Sequence, residues 1–308
     1  MRAVFYGTPA VAIPSLRALA GIADVLLVTT RPDKPRGRSG RLQPPPVKEE
    51  ALAMGLPVAQ PVRAVHGLEQ LAALEPDVAV VVAYGQILPA DLLAVPRRGF
   101  LNVHFSLLPR WRGGSPVVRA ILAGDELAGV TLMVLDAGMD TGPVLAVRPT
   151  RVGLEESAGE LAGRLAAVGA AMLVEHLPAY LEGSLLPRPQ PEEGATAAAR
   201  VRVEEAFVDP VRHRSAAVLR AVRAFDPKPG AWTVLDGGRV KLWRARASAE
   251  PGPGVGVAAT VGEGVLLGAA DGAVELLEVQ PEGRNRMAAA DWMRGRRGRP
   301  AAFTPPGG

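Results

Sequence analysis

The sequence has no cysteine, four histidines and few aromatic residues, which make up 4% of its 308 residues. Without cysteine the chain has no disulfide, no thiolate for a metal ion and no cysteine nucleophile. Four scattered histidines also argue against a histidine-rich metal site, so no bound metal is predicted. No apolar run approaches the roughly 20 residues of a membrane-spanning helix, and the first residues lack the pattern of a secretory signal peptide. A cytoplasmic globular protein is therefore expected.

The chain is basic. Hydrophobic residues make up 48% and charged residues 21%, which is ordinary for a soluble globular protein. The net charge of +4 and the isoelectric point near 9.8 are compatible with a polyanionic partner. Charge alone does not separate a nucleic-acid binder from a chain whose composition favours Ala, Gly, Pro and Arg together.

The first half of the chain alternates β-branched runs with amphipathic stretches, the pattern of a parallel sheet with crossover helices. Strands are predicted at Arg2 to Tyr6, Asp24 to Thr30, Val78 to Ala83, Gly99 to His104 and Val130 to Leu135. Helices are predicted near Pro14 to Ala20, Val47 to Met54, Gly67 to Leu74 and Val117 to Ala123. We therefore predict a doubly wound α/β domain with a mostly parallel sheet and a ligand crevice at the carboxyl ends of its strands. The turn Gly7-Thr8-Pro9 lacks the further glycines of a dinucleotide fingerprint, which disfavours a nicotinamide or flavin cofactor.

The second half begins after a predicted helix from Glu155 to Leu181. The segment LLPRPQPEEGATAAAR that follows is poor in large apolar residues and is typical of a linker. Beyond a further helix at His213 to Phe225, five short strands with glycine-rich turns indicate a small, oligonucleotide-binding-like β-barrel: Ala231 to Leu235, Val240 to Ala245, Val255 to Val261, Gly264 to Leu267 and Val274 to Val279. The predicted domains are a catalytic domain at 1–186, a linker at 187–205 and a barrel at 206–308.

The densest group of unusual polar residues is NVHFSLLPRWRG, which begins at Asn102. Asn102 and His104 are two residues apart on a predicted strand, so their side chains share one face near its carboxyl end. A hydrogen-bond donor and a titratable ring would then line one crevice. A histidine at a strand end is as often structural as catalytic, and Asn102 alone is compatible with a turn.

A glycine-rich turn with two carboxylates, Asp136 and Asp140, follows the next predicted strand. A carboxylate beside an imidazole orients the ring and favours its protonated form. The tripeptide DTG at Asp140 is also that of aspartic proteases, but their chemistry needs two such copies. The spacing of Asp136, Gly138 and Asp140 does not match the calcium-loop pattern. From these residues alone, a structural Asp-Gly turn with no chemical role stays an alternative.

The two segments together resemble the formyltetrahydrofolate-dependent formyltransferases. NVHFSLLPRWRGGSPVVRAI is followed by GVTLMVLDAGMDTGPVL, and VFYGTP, PDKPRGRSGRLQPPPVK, VAYGQILP and LEVQPEGRNRM extend the resemblance over nearly the whole chain. It is strongest to the members that formylate methionyl initiator tRNA for translation initiation. The resemblance implies that Asn102, His104 and Asp140 are catalytic: Asn102 and His104 would donate to the oxyanion, and Asp140 would relay the amine proton.

The resemblance also implies that 10-formyltetrahydrofolate is the formyl donor. Its implied contacts are Ser106, Leu107, Leu108 and Pro109, with Gln86, Ile87 and Leu88 beside the pterin ring. Phe105 departs from the pattern, because the tRNA enzymes usually have a small residue there. Phe105 could therefore narrow the crevice beside His104.

The loop from Arg31 to Pro46 is the candidate tRNA contact. It holds Lys34, Arg36, Arg38 and Arg41, with Asp33 as its one acidic residue. Without the resemblance it would be interpreted as a solvated surface loop. The resemblance implies an insertion that enters the acceptor stem, with Arg38 at the position of a critical arginine.

The second domain is expected to face phosphates with its basic residues, which are Arg239, Lys241, Arg244, Arg246 and the four arginines from Arg294 to Arg299.

The predicted partners are initiator tRNA and the folate, and a monomer without membrane contact is expected. Two alternatives remain: a formyltransferase for a small amino-sugar nucleotide or for glycinamide ribonucleotide, and an RNA-binding protein without activity.

Overall fold

The computed structural model of the protein describes residues 1–35 and 40–305. The chain forms two compact units. The first comprises Met1–Pro116, Leu127–Arg151 and Ala162–Ala199, and the second comprises Val117–Glu126, Val152–Leu161 and Arg200–Gly308. The chain thus enters the second unit three times, and most of the predicted linker belongs to the first unit. The division at 186 and 206 stays a prediction.

Nine strands are described before residue 152: β1 (Arg2–Gly7), β2 (Asp24–Thr29), β3 (Lys34–Pro35), β4 (Leu42–Gln43), β5 (Val58–Ala59), β6 (Val78–Val82), β7 (Phe100–His104), β8 (Leu127–Val134) and β9 (Val144–Arg151). Seven of them form one sheet in the order β5-β2-β1-β6-β7-β8-β9. The first five are parallel, whereas β8 is antiparallel to β7 and β9 is antiparallel to β8. The predicted mostly parallel sheet is confirmed.

The middle of this sheet is buried on both faces. Residues Ala3 to Tyr6 of β1 and all of β6, whose sequence is VAVVV, are buried. Such continuous apolar runs are typical of parallel strands with helices on both sides. Because β1, β6 and β7 run parallel, their carboxyl ends lie along one edge of the sheet. Ligands bind at this edge in this class of fold.

Six α-helices are described before residue 183: α1 (Ile13–Ile22), α2 (Pro46–Ala53), α3 (Leu68–Leu74), α4 (Ala90–Leu93), α5 (Pro116–Ala123) and α6 (Ala158–Glu182). Helix α6 starts later than the predicted Glu155 because Ser157 and Glu160 form a capping box. The Glu160 amide donates to Ser157 Oγ at 3.2 Å, and the Ser157 amide donates to Glu160 Oε2 at 2.9 Å. No described helix is both long and apolar enough to cross a membrane.

The basic segment predicted as a loop contains a short ladder. Strands β3 and β4 pair antiparallel, with Lys34 opposite Gln43 and Pro35 opposite Leu42. Residues 36–39 lie outside the described residues. The ladder explains why the two flanks of this segment lie side by side.

The second unit is built around an antiparallel sheet. Its strands and helices are α7 (Ser215–Ala224), β10 (Ala231–Leu235), β11 (Gly238–Ala247), β12 (Val257–Val261), β13 (Gly264–Ala269), β14 (Gly272–Pro281), β15 (Met287–Ala288), α8 (Ala289–Gly295) and β16 (Ala301–Ala302). The strand order is β10-β11-β14-β13-β12-β16, with β15 beside β14. The Asp236 amide donates to Ala302 O at 2.8 Å and the Thr304 amide donates to Val234 O at 3.1 Å, so the sheet curls until its two edges meet.

The core of this sheet confirms the predicted second fold. Val240, Leu242, Val265, Leu267 and Val274 are buried on its inner face. The five predicted barrel strands are present, and two-residue strands β15 and β16 and helix α8 add to them. The fold class is thus a mostly parallel α/β domain followed by a curled antiparallel sheet.

Candidate active site

Asn102 and His104 lie on one face of β7, as their spacing predicts. His104 is the last residue of the strand and is 6% exposed, whereas Asn102 is half-buried. Thr131 of β8 pairs with His104 and is fully buried. Its hydroxyl donates to Ser106 O at 2.7 Å and accepts from the Leu108 amide at 3.2 Å. The end of β7 that carries His104 is therefore held in place by the neighbouring strand β8.

The carboxylate of Asp140 has a donor at each oxygen. Asn102 Nδ2 donates to Oδ1 at 3.2 Å, and the Gly113 amide donates to Oδ2 at 2.9 Å. The same Oδ2 is 3.6 Å from Nδ1 of His104, with side-chain exposures of 15% for Asp140 and 6% for His104. That separation is too long for a direct hydrogen bond. The three predicted catalytic residues nevertheless converge on one small region.

The ring of His104 is oriented by a backbone carbonyl. Its Nε2–H donates to Trp111 O at 3.0 Å. Trp111 has a positive φ of 67°, in the left-handed region that side chains other than glycine rarely adopt. Nε2 is thus occupied, and Nδ1 is the ring atom that faces Asp140.

The turn that carries Asp140 folds back over the sheet. Strand β8 runs antiparallel to β7, so its carboxyl end lies beside the amino end of β7. The chain reaches Asn102 and His104 because Asp140 adopts a positive φ of 53° and because Gly142 approaches the backbone closely. A Cβ at Gly142 would lie 1.9 Å from Val134 O, so only glycine is compatible with this turn.

The carboxylate of Asp136 has different hydrogen-bond partners from that of Asp140. Its carboxylate accepts from the Gly138 amide at 3.0 Å and from the Thr141 hydroxyl at 2.8 Å. These bonds lie inside the turn, so Asp136 shapes it. Asp140 is the acidic residue of this turn that contacts Asn102.

The predicted folate segment from Ser106 to Pro109 is held mostly inward. Ser106 is 3% exposed and its hydroxyl donates to Arg110 O at 2.7 Å. Leu108 is 9% exposed. Leu107 and Pro109 are half-buried, and Pro109 O accepts from the Thr196 amide at 3.3 Å. The Ser106 hydroxyl therefore stabilises the loop, and a ligand would meet the segment through its half-buried side chains.

The second predicted folate segment follows β6. Ile87 is 86% exposed, whereas Leu88 packs on the core of the first unit. The side chain of Gln86 accepts from the Ala64 amide at 2.7 Å and donates to Pro61 O at 3.4 Å, which holds the loop. Ile87 thus offers the apolar surface here.

The tyrosine that precedes this segment, Tyr84, is 2% exposed, and burial raises its pKa to about 12. The phenol is therefore neutral at physiological pH.

Phe105 does not narrow the crevice beside His104. A Cβ at Gly169 of α6 would lie 2.4 Å from Val103 Cγ1 and 3.8 Å from Phe105 Cε1. Phe105 therefore points to the face of Val103, opposite to Asn102 and His104. The Phe105 ring thus lies near α6, away from the face that carries His104.

Two functional contacts lie in the segment interpreted as a linker. Gln190 Nε2 donates to Asp140 O at 2.9 Å and to Gly142 O at 2.7 Å. Thr196 Oγ1 accepts from the Trp111 amide at 2.9 Å. The proline- and alanine-rich composition concealed these residues, and no local sequence signal distinguishes them.

Of the predicted tRNA contacts, Lys34 and Arg41 are exposed. Arg36 and Arg38 lie outside the described residues, and their roles stay predictions.

Asp33, the acidic residue of this segment, is engaged elsewhere. Lys48 Nζ binds its carboxylate at 2.8 Å and Gln60 Nε2 donates to it at 2.7 Å. The Lys48 hydrogen bond, followed by that from Gln60, holds the pKa of Asp33 below its usual range. Asp33 thus forms its ion pair with α2.

In the described part of the chain, no group of three or more histidine, aspartate or glutamate side chains is placed to hold a metal ion. The site consists instead of an amide, an imidazole, a carboxylate and backbone N–H groups. These are groups that donate to an oxyanion and move protons.

Comparison with known proteins identifies the family of the chain. The chain matches the formyl transferase family over residues 9–177 and the C-terminal domain of formyl transferases over residues 200–297. The protein therefore belongs to the formyl transferase family and is an enzyme of that class.

Individual relatives cover nearly the whole chain. The methionyl-tRNA formyltransferase of Halorhodospira halophila is 48% identical over 301 residues, with 96% of each chain covered. That of Myxococcus xanthus is 45% identical over 296 residues, covering 96% of this chain and 95% of the relative.

Among solved structures, HypX from Aquifex aeolicus in complex with tetrahydrofolic acid has a TM-score of 0.63 at 21% identity. The match covers 95% of this chain and 47% of HypX, so this chain spans about half the length of that protein. At this identity the likeness concerns the fold.

Proposed function

We propose that this protein transfers the formyl group of 10-formyltetrahydrofolate to the free amino group of methionyl initiator tRNA. One observation carries the chemistry: the side chains of Asn102, His104 and Asp140 converge at the end of β7, with Asn102 donating to Asp140 at 3.2 Å. The identity to relatives named for this reaction, 48% and 45%, supports the choice of acceptor.

Formyl transfer is an attack by a neutral amine on an amide-like carbonyl. Negative charge develops on the carbonyl oxygen, and a proton leaves the attacking nitrogen while the departing nitrogen takes one up. Asn102 Nδ2 has two hydrogens, of which Asp140 accepts one. We assign the second hydrogen to the carbonyl oxygen. In other enzymes the loss of one such donor lowers kcat by about 10²- to 10³-fold.

We assign the transfer of the proton to Asp140 and the stabilisation of the remaining negative charge to His104. Because Trp111 O accepts from His104 Nε2, the ring presents Nδ1 to the reacting groups. Nδ1 and Asp140 Oδ2 are 3.6 Å apart, so no direct hydrogen bond occupies either atom on that side. Asp140 accepts the amine proton directly or through water and passes it on to the departing nitrogen. His104, with a proton on Nδ1 as well as on Nε2, donates from Nδ1 to the developing oxyanion.

The folate supplies the formyl carbon and leaves as an amine. We propose that Ile87 contacts its flat pterin ring, since the side chain is 86% exposed and apolar surface in a ligand cleft favours such rings. Leu88, Leu107 and Pro109 are half-buried and complete the proposed contact. Gln86, Ser106 and Leu108 hold the two loops in place.

The outer face of the barrel is proposed to contact tRNA through a tryptophan–cation patch, defined as Trp232, Arg239, Lys241 and Trp243. The Arg239 guanidinium stacks 4.1 Å from the Trp232 ring centroid, and Lys241 Nζ is 5.2 Å from that of Trp243. Among the described residues neither cation has a carboxylate partner. Burial, followed by the charge of Arg239, lowers the pKa of Lys241. An unneutralised basic and aromatic surface suits phosphates and bases.

We expect Arg239→Ala and Lys241→Ala each to weaken tRNA binding and its dependence on salt. The loss of one phosphate contact should reduce the slope of log affinity against log salt by about 0.7 to 0.9. The measurement is tRNA affinity at a series of salt concentrations.

Arg246, on the same strand, is the matched control. It forms a bidentate ion pair with Glu275 at 2.7 and 3.0 Å, so Arg246→Ala should change the slope less. Equal slopes for the wild type and both patch variants would assign tRNA contact to another surface.

The proposed reaction is tested by supplying 10-formyltetrahydrofolate labelled at the formyl carbon together with charged initiator tRNA. After hydrolysis of the ester bond, the label should be recovered as N-formylmethionine. Label that stays on the folate, or appears as free formate, would contradict the proposal.

A further inference from the structure

The side chain of Gln190 joins two parts of the proposed site. Its Nε2 carries two hydrogens, and they are directed to two carbonyls of one turn, Asp140 O at 2.9 Å and Gly142 O at 2.7 Å. Its Oε1 accepts from Arg112 Nε at 3.1 Å. The amide of Gly113, the next residue after Arg112, donates to the Asp140 carboxylate. Gln190 therefore bridges the turn that bears the carboxylate and the loop that binds it.

The turn requires such a clamp because its backbone is unfavourable by itself. Asp140 has a φ of 53°, in the left-handed region that is unfavourable for a residue other than glycine. Without Gln190, the carbonyls of Asp140 and Gly142 would lose their side-chain donor. One of them belongs to the residue whose carboxylate has to be held in place. A relaxed turn would move Asp140 Oδ2 relative to His104 Nδ1.

The same segment also supports the partner of His104. Thr196 Oγ1 accepts from the Trp111 amide at 2.9 Å, and Trp111 O accepts from His104. The backbones of Arg112 and Ala198 are joined by a 2.6 Å hydrogen bond. The flanking prolines of Gln190 have restricted backbone torsions, which reduces the freedom of the segment. Residues 190–198 thus form a structured support.

We infer that Gln190 is a positioning residue for formyl transfer, which acts through Asp140. It rests on the function proposed above. Its contribution is orientation, since a misplacement of about 1 Å at a reacting group can cost about 10²-fold in rate. The hydrogen bonds of the Gln190 side chain described above go to Arg112 and to the backbone of the turn.

The test uses Gln190→Met, which preserves length and removes both donors. We expect kcat for initiator tRNA to fall about tenfold with unchanged KM for tRNA and folate and an unchanged melting temperature. In an Asp140→Asn background, the same substitution should leave the residual kcat unaltered. Gln190→Glu, which retains the acceptor for Arg112, gives a second variant with the same expectation.

The matched control is Glu192→Gln. Glu192 is 85% exposed and contacts Arg112 at 3.4 Å, so its loss should leave kcat unchanged. An active wild type with full kcat in both Gln190 variants would overturn the inference while the proposed function stands. An equal fold loss in the wild-type and Asp140→Asn backgrounds would also overturn it. An inactive wild type would reject the proposed function instead.

Discussion

His104→Ala and Asp140→Asn are each expected to lower kcat by about 10²- to 10³-fold, and the double variant by little more. The two side chains face each other at 3.6 Å, and the proposed mechanism gives them one shared task, the placement of charge and proton at the reacting carbonyl. Groups that act as one unit have non-additive effects, because the loss of either disables both. Single-turnover rates at saturating folate and tRNA measure the chemical step directly.

The control for this series is His66→Ala. His66 is exposed and lies in a short helical turn that precedes α3. Its removal should leave kcat and the melting temperature unchanged. Asp140→Asn preserves the volume of the side chain, and folate binding provides a measure of an intact site. Near-normal turnover in either single variant, or fold losses that multiply in the double variant, would remove His104 and Asp140 from the proposed mechanism.

Much of the fold could be predicted because its signals are local. The buried runs of β1, β2, β6 and β7 read directly as strands, and the Gly-rich turns of the second half predicted the barrel strands. Strand β9 was missed, since it lies at the sheet edge and contains Pro149, which a central strand would not tolerate.

The direction of β8 could not be predicted from its residues. Nothing in its apolar run distinguishes a parallel strand from an antiparallel one, because direction is decided by the connection before it. The antiparallel pairing with β7 changes how Asp140 reaches the site. The turn from Asp136 to Gly142 has to fold back, and the glycine at 142 is the residue that permits the close approach.

The candidate site was predictable in part. The two-residue spacing of Asn102 and His104 placed them on one face of a strand, and the resemblance added Asp140. Gln190 was not predictable, since it is one polar residue among prolines and its contacts span about 50 residues of sequence. Long-range hydrogen bonds of this kind have no local pattern.

The acceptor is the central claim, and one comparison of three acceptors tests it. Charged initiator tRNA, charged elongator tRNA and glycinamide ribonucleotide are offered separately with 10-formyltetrahydrofolate. The proposed trio of Asn102, His104 and Asp140 is equally suited to any primary amine, so selectivity must come from contacts remote from the reacting atoms. Such contacts raise kcat/KM. We expect initiator tRNA to exceed the small nucleotide by about 10³-fold or more in kcat/KM, and to exceed elongator tRNA. Equal or faster formylation of glycinamide ribonucleotide would contradict the proposed acceptor.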